Sequence, residues 1–158
     1  MQRKATCTVR VVALAALAAL FLVAPAQSRE AARLPPAEMA AVYKAAGVTE
    51  RGGKVLDACD QPVEPQVDVI DLNGDGQPEV FVQLNSSCYG MAGGELTLLI
   101  KDRQGRWHSN LGFPAGGYKL LNARKKGYPD IEIGGPGMCF PVWRWNGSAY
   151  AVHKACDR

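Results

Sequence analysis

Two histidines, no CxxC pair, no internal repeat and no charge surplus beyond the first segment mark this 158-residue sequence. His108 and His153 are the whole histidine complement, and neither Ser86-Ser87 nor Ser109 stands in a nucleophile-elbow setting, so few residues could serve a catalytic set. Asp130 and Glu132 would share one face of a strand, but no second signal accompanies them, and they read as a solvated edge. The glycine-rich stretches 89–94 and 134–137 lack the helix and lysine of a phosphate loop; they read as bends beside Cys88 and Cys139. The formal charge is +3, from 18 Lys and Arg against 15 Asp and Glu, yet Arg3, Lys4 and Arg10 all precede the first acid, Glu30. Taking those three bases from the 18 leaves 15 of each sign after residue 26, and a neutral chain excludes nucleic acid as a partner.

Long apolar runs are also missing. The longest, VVALAALAALFLV, has thirteen residues and would reach about 20 Å as a helix, short of a ~30 Å hydrocarbon core. A basic segment precedes it and Ala24-Pro25-Ala26 follows, which is the plan of a secretory signal cleaved after Ala26. The expected organisation is a signal peptide over 1–26, a linker over 27–34 and a single domain over 35–158. No membrane span is expected after cleavage, and the location is periplasmic or secreted.

Export removes Cys7 and leaves Cys59, Cys88, Cys139 and Cys156, an even set that predicts two disulfides in an oxidising compartment. Zinc binding or a thiol nucleophile would need CxxC spacing or an adjacent histidine. Three pairings are possible. A two-residue Asn146-Gly147 turn sets Cys139 opposite Lys154 and Cys156 opposite Gly137, leaving the two sulfurs diagonal and about 7–8 Å apart at Cα. That favours nested pairing (Cys88 with Cys139, Cys59 with Cys156) over sequential pairing (Cys59 with Cys88, Cys139 with Cys156).

Pro35-Pro36 opens one helix and Gly47 closes it, with Met39, Val42, Tyr43 and Ala46 on one face. Short β-prone runs follow at 67–70, 80–84, 96–101, 106–111, 118–121 and 131–133. The last hairpin, PVWRWNGSAYAVH, turns at Asn146-Gly147. In that register Trp143 faces Tyr150 and shares a face with Trp145, forming either core or an aromatic binding face. The fold class is mainly β (α+β): a small antiparallel sheet or sandwich with one N-terminal helix and two disulfides.

One segment carries chemistry. In Asp71-Leu72-Asn73-Gly74-Asp75-Gly76-Gln77-Pro78-Glu79, oxygen side chains alternate at positions 1, 3 and 5. Gly76 permits a sharp turn, Gln77 can offer its carbonyl, and Glu79 closes the loop. Hard oxygen donors on a flexible loop suit Ca²⁺. An EF-hand would need a glutamate at position 12, where Val82 stands, and Pro78 blocks an immediate exiting helix. The expectation is a strand–loop–strand calcium site.

VDVIDLNGDGQPEVFV resembles the calcium loop of FG-GAP and VCBS-type modules, found in integrin α propeller blades and in many bacterial exported proteins. The resemblance implies that Asp71, Asn73, Asp75 and Glu79 hold the metal through side chains and Gln77 through its carbonyl. More loosely, the layout from Cys59 through CYG, GYPDIEIGGPGMCFPVWRWNG and Cys156 is similar to small exported proteins with one such loop, which also leans toward nested disulfides. A single loop without repeats does not imply a propeller.

The expected function is a non-enzymatic, calcium-binding module that binds an envelope or secreted protein, in its most concrete form an inhibitor or immunity protein against a cell-wall hydrolase. The alternatives are a carbohydrate- or surface-adhesion module that binds cell-wall polysaccharide through Trp143, Trp145 and Tyr150, and a hydrolase with a nearby structural calcium.

Overall fold

The computed structural model describes residues 34–134 and 139–156; the segment expected to be a signal peptide and most of the expected linker, with the 135–137 part of the second glycine-rich bend, lie outside them. A helix, α1 (Pro36–Ala45), leads into a small hairpin, β1 (Thr49–Arg51) and β2 (Lys54–Leu56). Four strands follow in meander order: β3 (Pro65–Ile70), β4 (Glu79–Asn85), β5 (Gly94–Lys101) and β6 (Trp107–Pro114). A second antiparallel meander holds β7 (Gly117–Lys125), β8 (Tyr128–Gly134), β9 (Val142–Trp145) and β10 (Tyr150–Lys154).

The helix begins at proline, which has no N–H to leave unpaired and a φ already set for the first turn. It ends as the glycine signal predicts. Gly47 turns left-handed at φ 72°, and the amides of Gly47 and Val48 reach back to the carbonyls of Lys44 and Tyr43. Its apolar face, centred on fully buried Val42 with Met39, Tyr43 and Ala46 beside it, covers Val80, Val82, Leu84 and Leu99.

Strand alternation places the rest. The even residues of β4 face the helix, whereas Phe81 joins Leu96, Leu98 and Ile100 of β5 on the opposite face. That face meets Ile131, Ile133, Trp145 and Tyr150 of the second sheet. The molecule is therefore layered as helix, sheet, sheet, the mainly β class with one N-terminal helix that the sequence predicts. The hairpin β1–β2, made of short and largely exposed strands, gave no alternation to read.

Two expectations about the last hairpin are corrected. The turn is four residues long, closed by the Asn146 amide on the Ala149 carbonyl, while the Asn146 side chain accepts from the amides of Ser148 and Ala149. Tyr150 therefore pairs with Trp145, not Trp143, and Trp143 pairs with Val152. Beyond that, a bulge places Lys154 opposite Val142, with His153 as the extra residue.

The disulfides are sequential, not nested: Cys59–Cys88 and Cys139–Cys156. The longer turn and the bulge together move the hairpin register by three residues. Carried past Lys154, it sets Cys156 opposite Phe140, next to Cys139, and the two Cα atoms stand 5.8 Å apart. For the other pair the organiser is Asp57. Its carboxylate accepts from the amides of Cys59 and Gln61 and from the Ser86 hydroxyl, folding the Cys59 turn against the Cys88 turn with Cα atoms 5.9 Å apart.

Proteolysis without reduction should release one peptide pair joined by Cys59–Cys88 and another joined by Cys139–Cys156, as read by mass spectrometry. Replacing both Cys139 and Cys156 by serine removes a 17-residue closure and should cost about 3 kcal/mol in denaturant melts, on the chain-entropy scale.

Candidate functional site

The Asp71–Glu79 loop joins β3 to β4 at one rim of the sheet pair. It curls because Gly74 and Gly76 adopt φ of 80° and 86°, backbone that a side chain would disfavour. Asp71 sits at the centre of the curl. One of its oxygens accepts from the amides of Gly74 at 2.7 Å and Asp75 at 3.2 Å, and the other from Gly76 at 3.0 Å. Asn73 Oδ1 takes the Asp75 amide at 2.8 Å, and Asp75 Oδ1 takes the Gln77 amide at 2.8 Å. These side chains hold the loop in shape through its own N–H groups.

Glu79 differs from the other acids. It is the first residue of β4 and only 3 % exposed. Its Oε2 accepts the Leu72 amide at 2.8 Å and its Oε1 the Tyr128 hydroxyl at 3.1 Å. Burial, with Asp75 and Asp71 adding like charge, pushes its pKa up against those two hydrogen bonds. No cationic side chain pairs with it among the described residues.

The second sheet closes over the loop. The Arg124 guanidinium donates to the Leu72 carbonyl at 2.8 Å and to the Gly127 carbonyl at 2.6 Å. A Cβ on Gly127 would stand 3.1 Å from the Asn73 carbonyl oxygen, so the β7–β8 turn rests on the loop. The Tyr128 hydroxyl has its pKa raised to about 12 by burial and then by Glu79. Tyr128 and Arg124 were not found from sequence. They lie about 50 residues from the loop, and only β7–β8 pairing brings them there.

The loop donors are all oxygen, three of them carboxylates, and one carboxylate is buried without a counter-charge; that set fits a hard divalent cation. Asp71, Asn73, Asp75 and Glu79 side chains and the Gln77 carbonyl are the groups that would hold it. The carboxylates stand apart around the curl. Among the described residues, the one trio of His, Cys, Asp or Glu ligand atoms within 4.8 Å of one another is Asp57, Cys59 and Cys88, whose sulfurs are joined to each other.

The remaining sequence candidates separate. Trp145 and Tyr150 are buried in the inter-sheet core and Trp143 stacks on Phe113, so these rings form no outward face; that candidate is corrected. β-branched and aromatic residues on a two-sheet interface face the partner sheet, and only a solvated second face would have exposed them. Asp130 is bound by Arg144 through two hydrogen bonds of 2.9 and 2.6 Å. Glu132 lies 4.0 Å from Lys119 and lines a cleft of about 580 Å³ with Tyr118, Gly134 and Phe140. His108 sits on β6 in the other sheet, and His153 is the bulge residue of β10. Among the described residues, neither Asp130 nor a histidine lines that cleft with Glu132.

Comparisons with protein-family models, with curated proteins and with solved structures find no match to this chain. No helix among the described residues is long and apolar enough to cross a membrane. Two disulfides suit an oxidising, extracytoplasmic compartment.

The Arg144 hydrogen bonds hold the Asp130 carboxyl below the usual carboxylate range. A lowered folded-state pKa contributes stability that is present above the unfolded value of about 3.9 and is lost as pH falls through the folded value. Asp130→Asn should therefore flatten the acid limb of a melting-temperature profile below about pH 4 and lower the plateau near pH 7. An unchanged acid limb would remove the pair from the protein's pH dependence.

Proposed function

We propose that the chain is an exported, calcium-binding protein-binding module, most concretely an inhibitor or immunity protein against a cell-wall hydrolase. The observation that carries the calcium reading is Glu79, a buried carboxylate with no ion-pair partner among the described residues, closing a loop that already holds Asp71 and Asp75. Calcium would lower the free energy of that arrangement and leave the loop as a fixed part of the rim. Extracellular calcium is abundant enough to keep even a weak site filled, so the ion acts as a structural part rather than a signal.

The protein-binding reading rests on a feature at the other end of β4. Residues 87–92 form a kinked 3₁₀ segment held by Cys59–Cys88 and by the Ser86 amide on the Gly93 carbonyl. Met91 stands 93 % exposed at its tip, between Gly90 and Ala92. A slim, stapled loop with an unbranched apolar side chain enters a partner's cleft at small entropic cost.

Asp71→Ala and Asp75→Ala should each lower the melting temperature by several degrees more in millimolar calcium than in chelator, where only the loop's own hydrogen bonds are lost. Equal melting of the wild type with and without chelator would end the calcium reading. Oxidised mature protein used as bait in envelope extract should retain a peptidoglycan hydrolase, and Met91→Asp should lose it. Retention on wall polysaccharide with no protein partner would favour the adhesion module instead.

A further inference from the structure

We infer that the tip of the β7–β8 hairpin supplies the non-local half of the cation site, with Tyr128 as the residue that positions Glu79. This rests on the calcium reading above and adds to it a role for residues outside the loop.

A glutamate carboxylate is carried on three rotatable bonds, and as the last donor of the loop it must present an oxygen in a fixed place. One of its oxygens is set by the Leu72 amide, which belongs to the loop itself. The other is set by the Tyr128 hydroxyl, which belongs to the second sheet. The preceding residue, Gly127, lies against the Asn73 backbone, so the hairpin tip meets the loop at both ends of the curl.

Tyr128 is itself packed on both sides. Its ring stacks on Trp145 at 4.2 Å between centroids and meets Tyr150 edge-on at 6.1 Å. Arg124 acts in parallel: by holding the Leu72 and Gly127 carbonyls together, it keeps the turn before Tyr128 against the loop. Groups that orient metal ligands in this way commonly change metal affinity 10- to 100-fold when removed.

Two consequences separate this role from simple packing. Cation affinity should depend on a hydroxyl whose loss leaves the ring stack in place, and a different inter-sheet tyrosine should not matter. Tyr118 supplies that control. It also bridges the sheets, through its hydroxyl on Asp68 at 2.7 Å and its ring on Phe81, but it touches none of the five donors.

The test is calcium titration of the oxidised protein by calorimetry, with terbium luminescence excited through the Tyr128–Trp145 pair as a second readout. Tyr128→Phe should weaken calcium binding at least 10-fold, Tyr118→Phe should leave it within twofold of wild type, and melting in chelator should show both variants folded. Wild-type binding with Tyr128→Phe unchanged would overturn the positioning role and leave the calcium reading intact. Equal weakening by both substitutions would also overturn it, because general loosening of the sheets would then suffice. A wild type that binds neither calcium nor terbium would overturn both readings together.

Discussion

The fold depends on β4 and β5 being apolar on both faces. Along β4, Val80, Phe81, Val82, Gln83 and Leu84 are buried in succession, and along β5 the same holds from Leu96 to Ile100. A strand of this kind cannot sit in a sheet with one wet face, so the first sheet needs two covers. The helix is one and the second sheet is the other. Each cover is thin: α1 has ten residues with a single fully buried side chain, and β9 has four residues. Neither could be stable alone, which makes their attachment to β4 and β5 the step on which the molecule stands.

That constraint explains where the acidic loop lies. β4 starts at Glu79, so the loop ends where the doubly covered strand begins, and its last carboxylate is carried under the second sheet. Desolvation there is unfavourable for an anion, and the neighbouring Asp71 and Asp75 make it more so. A lone pair of hydrogen bonds, from Leu72 and Tyr128, offsets part of that cost. Under the calcium reading proposed above, a bound cation would offset the remainder.

Much of this was readable in advance, and the reasons for the misses are specific. Local signals held where the structure is local: Pro36 and Gly47 bound the helix, and the Asp71–Glu79 curl follows its glycines. Asn146-Gly147 marked a turn correctly but not its length. The Asn146 side chain caps two later amides and draws Ser148 and Ala149 into the turn, so the register moved. The longer turn by itself moves the register by two and sets Cys139 opposite Cys156, and the bulge, which has no sequence mark of its own, offsets them by one residue more. The outward reading of Trp143, Trp145 and Tyr150 failed because period-2 alternation says which residues share a face, not which face is wet. Tyr128 and Arg124 carried no signal because their role exists only after β7 and β8 pair.

The sequential disulfides change what holds the halves together. Cys59–Cys88 closes the part containing the first sheet, and Cys139–Cys156 closes the end of the second. Nested pairing would have bound one sheet covalently to the other; the observed pairing does not. Between the sheets there remain the apolar core and a few polar ties: Tyr118 to Asp68, Asn110 to Ser148 and Tyr150, Tyr128 to Glu79, and Arg124 to Leu72. Two of those four run through the acidic loop. With each sheet stapled to itself, the strength of the loop's grip on Tyr128 and Arg124 becomes a large share of what resists the sheets sliding apart at that rim. A cation that fixed Glu79 would therefore stabilise the contact between sheets as well as the loop, and it would do so at the place where neither disulfide reaches.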